Sequence, residues 1–285
     1  MPLLSASISI EGTNTESLEK YLQIYHDAGF RQWQAFWRTE TRINADKLTD
    51  VANRYDGHFD SVHGRFGNHL DPSSPDDAKR QYTIETAEKD AEFACALGAS
   101  IIIIHPSCKI PKEAGLDVSN RSSWGSAVEA DREPLLMQSM EELAGIGEEL
   151  EVIFAIENVP GRLWFGCDSA QMAEMIRRVD SPFIRMCFDT GHAHVEAKYY
   201  GDCAEQLARC LDVVSYFHIH DNDGNHDSHE APGDGTINWN YLSMVMRDAD
   251  PNSIVMLEMF RKSEEMKEIL KRPFVHEILQ DLTNQ

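Results

Sequence analysis

Side chains that bind metal ions or move protons end six consecutive apolar segments of this chain. They are His63, His105, Glu157, Asp189, His218 and Glu258. A lone histidine at the end of a strand is more often a hydrogen-bonded structural residue, but six such endings together need another explanation. Burying a carboxylate is costly unless a cation compensates it, and carboxylate and imidazole groups are common metal ligands. The pattern therefore predicts a divalent metal site.

Two shorter patterns could extend this site. Asp189 and His192 have the Asp-x-x-His spacing of a turn that leaves a strand, which we interpret as functional. Asp227 and His229 flank a single residue, so both could reach one ion. The alternative for that segment is a solvated turn, because it is rich in Asn, Asp and Gly. We assign the neighbouring His226 to the surface.

Eight short apolar runs rich in β-branched residues must position these groups, and segments of helical periodicity separate them. The runs are Leu4–Ile10, Gln32–Trp37, Phe59–His63, Ser100–His105, Val152–Asn158, Ile184–Asp189, Val213–His220 and Ser253–Glu258. Alternating strands and helices are typical of parallel sheets with helical crossovers. There is no internal linker, and no GxGxxG follows the first run as in an open dinucleotide-binding sheet. We predict an α/β protein with one (β/α)8 TIM barrel domain over 1–285, whose strand ends meet where active sites form.

The predicted helices are of ordinary length, and one connection is unusually long. The helices are Ser17–Phe30, capped by Thr15 or Ser17, Asp76–Leu97, closed by Gly98, and Glu133–Leu150, Ser169–Val179, Asp202–Leu211, Asn238–Asp248 and Glu264–Leu282. The polar segment Pro106–Arg132 follows the fourth strand and is predicted to be a loop that covers the barrel mouth.

The charge and composition of the chain limit the kinds of partner that we expect it to bind. The formal net charge is -22, which would repel a phosphate backbone, so we expect no nucleic-acid partner. No signal peptide or membrane-spanning segment is evident. The six cysteines are scattered without a CxxC pair, as is typical of buried thiols in a reducing compartment. We expect a cytoplasmic enzyme with a small-molecule substrate.

The residues resemble the xylose isomerase-like barrels, which include sugar isomerases and epimerases and the trinuclear-zinc apurinic endonucleases, over nearly the whole chain. The matching motifs are Ile156-Glu157-Asn158-Val159-Pro160, Phe188-Asp189-Thr190-Gly191-His192-Ala193, His218-Ile219-His220-Asp221-Asn222-Asp223-Gly224, Asp227-Ser228-His229, Gly233-Asp234-Gly235-Thr236-Ile237-Asn238-Trp239 and Leu257-Glu258. Their combination and order are specific for the superfamily and much less so for one reaction.

The resemblance implies one divalent metal in the isomerase and epimerase branch, or up to three ions in the endonuclease branch. The single-metal ligands would be Glu157, Asp189, His218 and Glu258. The further ligands would be His63, His105, His192, Asp227 and His229. Oxygen-rich ligation suits Mn²⁺, Mg²⁺ or Co²⁺, and more histidines favour Zn²⁺. Members of the family often pair, so a homo-oligomer is possible.

Departures from the family pattern favour one branch. Ser228 stands where the endonucleases carry a basic residue, and 221–230 lacks the substrate-binding arginine of the ketose 3-epimerases. Gln34 stands where many members end the second strand with glutamate. We predict a sugar or sugar-phosphate isomerase or epimerase, in which Glu157 and Glu258 transfer a proton through an enediolate. The alternatives are a zinc-dependent phosphodiesterase or endonuclease-like hydrolase, and a non-catalytic sugar-binding barrel.

The predicted substrate contacts surround these glutamates. They are His63, His105, Asn158, His192, His220 and Trp124, with Trp164 and Phe36 as further apolar walls. The candidates for binding a phosphate are Arg38, Arg65, Arg162 and Lys198.

Overall fold

The eight predicted strands form a closed parallel barrel in chain order. The computed structural model describes residues 3–39, 41–109, 121–161 and 165–283, and gives the backbone alone over 121–130. The strands are β1 Leu3–Ser9, β2 Gln32–Phe36, β3 His58–His63, β4 Ile101–Ile104, β5 Ile153–Glu157, β6 Ile184–Asp189, β7 Val214–Ile219 and β8 Ile254–Leu257. The last strand closes the barrel against the first, with Leu3 opposite Ile254. The predicted (β/α)8 fold is confirmed.

Helices fill the connections between the strands. They are α1 Glu16–Asp27, α2 Ala45–Arg54, α3 Asp77–Leu97, α4 Arg121–Leu150, α5 Ser169–Val179, α6 Thr190–Val195, α7 Ala197–Tyr200, α8 Cys203–Ala208, α9 Trp239–Met246, α10 Ser263–Ile269 and α11 Pro273–Thr283, with a 3-10 turn at Leu211–Val213. No helix among the described residues has the length and apolar character to cross a membrane.

Two predictions about the connections between strands were wrong. Residues 121–132 belong to α4 rather than to a loop, and the rest of the predicted lid, 110–120, lies outside the described residues. The predicted helix Glu264–Leu282 is two helices, because Pro273 cannot donate to the preceding turn and starts a new helix instead. Thr15 does occupy the N-cap of α1, but its side chain makes no capping hydrogen bond. The short helix α2 was not predicted.

Side-chain caps explain the ends that the sequence located well. Asp76 accepts hydrogen bonds from the backbone N–H groups at the start of α3, and Asp168 does the same for α5. Gly98 ends α3 with a φ of 75°, a left-handed conformation that glycine adopts without strain.

The barrel interior below the strand ends is packed. Inward-facing apolar side chains form a separate cluster of Ile101, Ile103, Ala155, Cys187, Tyr216, Ile254 and Met256. Asp60 lies among them, and it accepts hydrogen bonds from Ser5 and, over 2.9 Å, from Tyr216. The barrel is thus closed beneath its rim, and the polar groups that can meet a ligand lie at the strand ends.

Candidate metal centre

Four side chains from the ends of β5 to β8 converge at the rim. Glu157, Asp189, His218 and Glu258 each offer a donor atom, and these atoms all lie within 4.8 Å of one another. Nδ1 of His218 lies at the middle of the group, 3.2 Å from Glu157 Oε1, 3.3 Å from Glu258 Oε2 and 3.7 Å from Asp189 Oδ2. The exposed fraction of each residue is 4% or less, so this is a buried group with three carboxylates.

The hydrogen bonds of these carboxylates show that the group fits a cation. Within the described part of the chain, Oε2 of Glu157 and Oε2 of Glu258 have no well-directed hydrogen-bond donor. Buried anionic oxygens of this kind are costly unless a charge compensates them. Three carboxylates and one imidazole also form a donor set that divalent first-row ions and Zn²⁺ accept.

Two further groups adjoin this one. His63, His105 and Glu157 form a second set, and His192, His220, Asp227 and His229 form a third. Oε2 of Glu157 lies 3.3 Å from His105 Nε2 and 3.5 Å from His63 Nε2, whereas its Oε1 faces His218. The predicted additional ligands are thus brought together, and Glu157 connects two of the three groups.

Asp189 is held by the turn that follows β6. It is the N-cap of α6, where its Oδ1 accepts a 2.7 Å hydrogen bond from the backbone N–H of His192. Asn158 donates to the backbone oxygen of Asp189 over 3.0 Å and accepts from its N–H over 2.8 Å. His220 Nε2 lies 3.1 Å from the Asp189 carboxylate. Asn158 and His220, which the sequence analysis predicted as substrate contacts, thus both hold Asp189 in place.

Gly191 makes room for that arrangement. A Cβ atom at this position would lie 2.0 Å from Cε1 of His220, which no packed structure tolerates. The glycine between Asp189 and His192 therefore lets the His220 ring reach the aspartate.

A buried aspartate organises the loop that carries the third group. The carboxylate of Asp221 accepts hydrogen bonds from the backbone N–H groups of Gly233 and Ile237 and from Trp239 Nε1, over 2.9, 3.2 and 2.7 Å. This fixes a loop in which His229 has a φ of 47°, a strained value for a residue with a side chain. The loop places Asp227 Oδ2 3.3 Å from His192 Nε2 and 3.4 Å from His229 Nε2.

His226, in the same loop, is 81% exposed, which confirms its assignment to the surface.

Charge complementarity dominates the electrostatics of the site. Burial opposes ionisation of Glu157, but the imidazoles of His218 and His105 outweigh it and hold the pKa of its carboxyl well below its usual range. Burial likewise opposes ionisation of Glu258, but the imidazoles of His218 and His229 outweigh it and lower the pKa of its carboxyl. For His229, burial is outweighed by the Asp227 carboxylate, which raises its pKa to about 9. Burial is likewise outweighed by neighbouring carboxylates at His192, where Asp189 and Asp227 raise the pKa, whereas at His105 burial prevails and lowers the pKa. A bound cation would displace protons from the histidines that ligate it.

A cavity of about 300 Å³ opens above these groups. Its described lining includes His63, His105, Glu157, His192, Asp227, His229 and Glu258 at the floor and side, with Phe36, Arg38, Phe66, Pro160 and Phe260 around the mouth. Arg38 is the only lysine or arginine among these lining residues, and its guanidinium lies 5.3 Å from the centroid of the Phe36 ring. The described lining therefore combines a floor of carboxylates and imidazoles, an aromatic wall and one guanidinium.

Two of the predicted phosphate residues are not among the described residues that line the cavity. Arg65 is paired with Asp90 over 2.8 Å, and Lys198 lies over the ring of Tyr199. Trp164, Arg162 and the side chain of Trp124 lie outside the described residues. Of the predicted wall residues, Phe36 alone is seen at the cavity.

The sequence analysis missed Phe66 and Phe260 at the cavity and the contact of Gln34 with His218. The two phenylalanines follow His63 and Glu258 by three and two residues, so their position just after a strand end was the available signal.

Comparison with known proteins agrees with this architecture. The sequence model of the xylose isomerase-like TIM barrel family matches residues 22–274. The uncharacterized protein MJ1311 of Methanocaldococcus jannaschii is 24% identical over 94% of this chain and 87% of its own length. A crystal structure of a D-tagatose 3-epimerase-like protein superposes with a TM-score of 0.77 at 24% identity, covering 99% of this chain and 98% of the other. The IOLI protein, solved with a bound zinc atom, superposes with a TM-score of 0.75 at 15% identity over 99% and 98% of the two chains.

Proposed function

Since the chain belongs to the xylose isomerase-like TIM barrel family, we propose that it is a divalent-metal-dependent isomerase or epimerase of a sugar or sugar phosphate. The observation that carries the proposal is the placement of Glu157 and Glu258. Both lie within 3.3 Å of His218 Nδ1, both line the cavity, and each keeps one oxygen without a well-directed donor among the described residues. Two carboxylates on one bound carbon chain are what removal and return of a proton require.

The ion would be held by Glu157, Asp189, His218 and Glu258. When bound, it would supply a Lewis acid for the substrate carbonyl and a template for the neighbouring hydroxyl. Mn²⁺, Mg²⁺, Co²⁺ and Zn²⁺ all suit three carboxylates and an imidazole.

The two glutamates divide the proton transfer. One takes the proton from the carbon beside the carbonyl, and the other returns a proton to the resulting enediolate. Return to the same carbon on its other face gives an epimer, and return to the adjacent carbon gives an aldose–ketose isomer. The lowered pKa values of Glu157 and Glu258 favour the ionised form that accepts the proton at neutral pH. The glutamate that returns a proton must therefore first take that proton from the solvent. The lowered pKa values also make both weak bases, so the bound substrate must be acidified.

The remaining lining residues fit a polyhydroxylated substrate with an anionic substituent. His63, His105 and His192 would donate hydrogen bonds to substrate oxygens beside the glutamates. The aromatic wall of Phe36 and Phe260 would pack on the apolar face of the carbon chain. Arg38, the cation of the mouth, would pair with a phosphate or carboxylate at its far end.

Solvent-deuterium uptake tests the proposal. The protein loaded with Mn²⁺ would be incubated in D₂O with a panel of aldoses, ketoses and their phosphates, and carbon-bound deuterium would be measured by NMR. We expect uptake beside the carbonyl of at least one panel member, together with its epimer or isomer, and loss of both in Glu157→Gln. Conversion that proceeds without deuterium uptake from solvent would contradict proton transfer by exchangeable carboxylates.

The three adjoining donor groups favour a second candidate, a phosphate-ester hydrolase with two or three Zn²⁺ ions. His63 and His105 in one group and Asp227 and His229 in another would then be ligands rather than substrate contacts. The net charge of -22 argues against a DNA substrate, so a small phosphate diester would be hydrolysed. Elemental mass spectrometry of unchelated protein separates the candidates. About one ion per chain supports the isomerase, and two or three Zn²⁺ with hydrolysis of bis(p-nitrophenyl) phosphate support the hydrolase.

A further inference from the structure

Gln34 on β2 contacts the imidazole of His218 from the side opposite the carboxylates. Its Nε2 lies 3.1 Å from His218 Nε2, and the residue has no exposed surface. Its other amide atom, Oε1, is buried without a hydrogen-bond partner among the described residues. Buried amides rarely leave an acceptor unused, so this contact needs an explanation.

The contact is explained by which ring nitrogen of His218 carries the proton. Its Nδ1 faces Glu157 and Glu258, so an ion held by this group must bind that nitrogen. A neutral imidazole that binds an ion through Nδ1 carries its proton on Nε2. That N–H and the amide N–H group of Gln34 are both donors and cannot bond to each other. Rotation of the amide by 180°, which leaves its shape almost unchanged, places the unused Oε1 against the Nε2–H instead.

We propose that Gln34 is a positioning residue, whose Oε1 accepts the Nε2–H of His218 and thereby fixes the tautomer and ring orientation that an ion requires. The proposal rests on the metal site of the proposed function and deepens it. A hydrogen-bond acceptor behind a ligating imidazole orients the ring and raises its basicity toward the metal. Here the acceptor is neutral, so it adds no fourth carboxylate to a buried group that already holds Glu157, Asp189 and Glu258.

Metal affinity tests the proposal without depending on turnover. The full-length wild type and the variants Gln34→Leu, Gln34→Glu and Gln206→Leu would be stripped of metal and titrated with Zn²⁺ against a chromophoric chelator. Gln206 is a matched control, because it is also fully buried but donates to the backbone oxygens of Ala193 and Gly201. We expect Gln34→Leu to weaken binding about 10- to 100-fold, and Gln206→Leu to bind within about twofold of wild type.

Gln34→Glu decides the direction of the hydrogen bond. An ionised glutamate can only accept, so this variant should bind Zn²⁺ at least as tightly as wild type if Nε2 carries the proton. If the amide instead donates to Nε2, glutamate would weaken binding about as much as leucine does, and the proposal would be overturned. Wild-type affinity in Gln34→Leu would overturn it as well. Should Gln34→Leu not fold, the affinity of Gln34→Glu by itself distinguishes an accepting from a donating amide.

The metal site and the positioning role of Gln34 can be tested separately. Zn²⁺ binding by the wild type with unchanged Gln34 variants removes only the role of Gln34. Absence of binding by the wild type removes the metal site, and the role of Gln34 with it.

Discussion

Oε1 of Glu157 lies 3.2 Å from Nδ1 of His218, while the second oxygen of the same carboxylate points away toward His63 and His105. Glu157 thus takes part in two donor groups, whereas Glu258 takes part in one. The two glutamates are chemically alike but structurally unequal, and substitutions should show the difference.

Replacing each glutamate by glutamine should separate metal binding from proton transfer. We expect Glu157→Gln to lose most bound metal, because it removes a charge that two groups use. Glu258→Gln should retain more metal, and its turnover should fall about 10²- to 10⁴-fold through loss of one acid–base group. Elemental mass spectrometry and deuterium uptake measure the two effects. Equal metal loss in both variants would contradict the unequal roles.

Removing the metal should lower thermal stability. Glu157, Asp189 and Glu258 are buried side by side, and a cation that binds only the folded state stabilises it by about 4 kcal/mol when present at about 1,000 times its Kd. We expect the unfolding midpoint to fall by several degrees after chelation and to recover with Mn²⁺ or Zn²⁺. Differential scanning fluorimetry measures this. A midpoint indifferent to both chelator and ion would argue against the site.

Replacing Arg38 by methionine should change substrate preference. A hydrogen bond to a charged group contributes about 1.5 to 3 kcal/mol, so kcat/KM for a phosphorylated substrate should fall about 10- to 100-fold. The unphosphorylated sugar should be affected much less. Arg247→Met is the control. Arg247 is exposed in the connection from α9 to β8, so it lies away from the carboxyl ends of the strands, where the site is. An equal fall in kcat/KM for both substrates would show that Arg38 does not recognise the anionic group.

Adding one methyl group at Gly191 should displace the His220 ring that supports Asp189. The new Cβ would collide with the His220 ring, which contacts Asp189. We expect Gly191→Ala to cost about 1 to 3 kcal/mol of unfolding free energy and to weaken metal binding. Gly145→Ala in α4 is the control, since its Cβ would meet nothing within 4 Å. It should stabilise the helix by about 0.5 to 1 kcal/mol. Urea unfolding of the metal-free proteins measures both, and equal stability of the two variants would refute the collision.

Thiol labelling of the native protein should give one fast and five slow reactions. All six cysteines are free, and Cys95 is the exposed one. Burial raises the pKa of Cys187 and of Cys210 to about 12, so these two should stay unreactive when the pH is raised from 7 to 9. Mass spectrometry after brief iodoacetamide treatment identifies the modified residues. Rapid modification of Cys187 would show that the barrel interior opens.

The sequence predicted the residues of the rim because an apolar strand in a parallel barrel must end at the same face as its neighbours. Asp189 and Glu258 could be placed from that rule alone. The break between α10 and α11 could also have been read from Pro273, but the helical pattern on both sides concealed it. The contact of Gln34 with His218 could not be predicted, because it joins β2 and β7, which are separated in the barrel by β1 and β8. The direction in which Phe66 and Phe260 turn after their strands also depends on packing that no local pattern specifies.

The order of the donors along the chain has a consequence for synthesis. Glu157, Asp189, His218 and Glu258 follow β5, β6, β7 and β8 in turn, and β8 is also the strand that pairs with β1. A nascent chain on the ribosome therefore lacks its last carboxylate until the segment that seals the barrel has emerged. The ion would then bind late in biogenesis. A chain that holds the ion would be one in which β8 has already emerged to pair with β1.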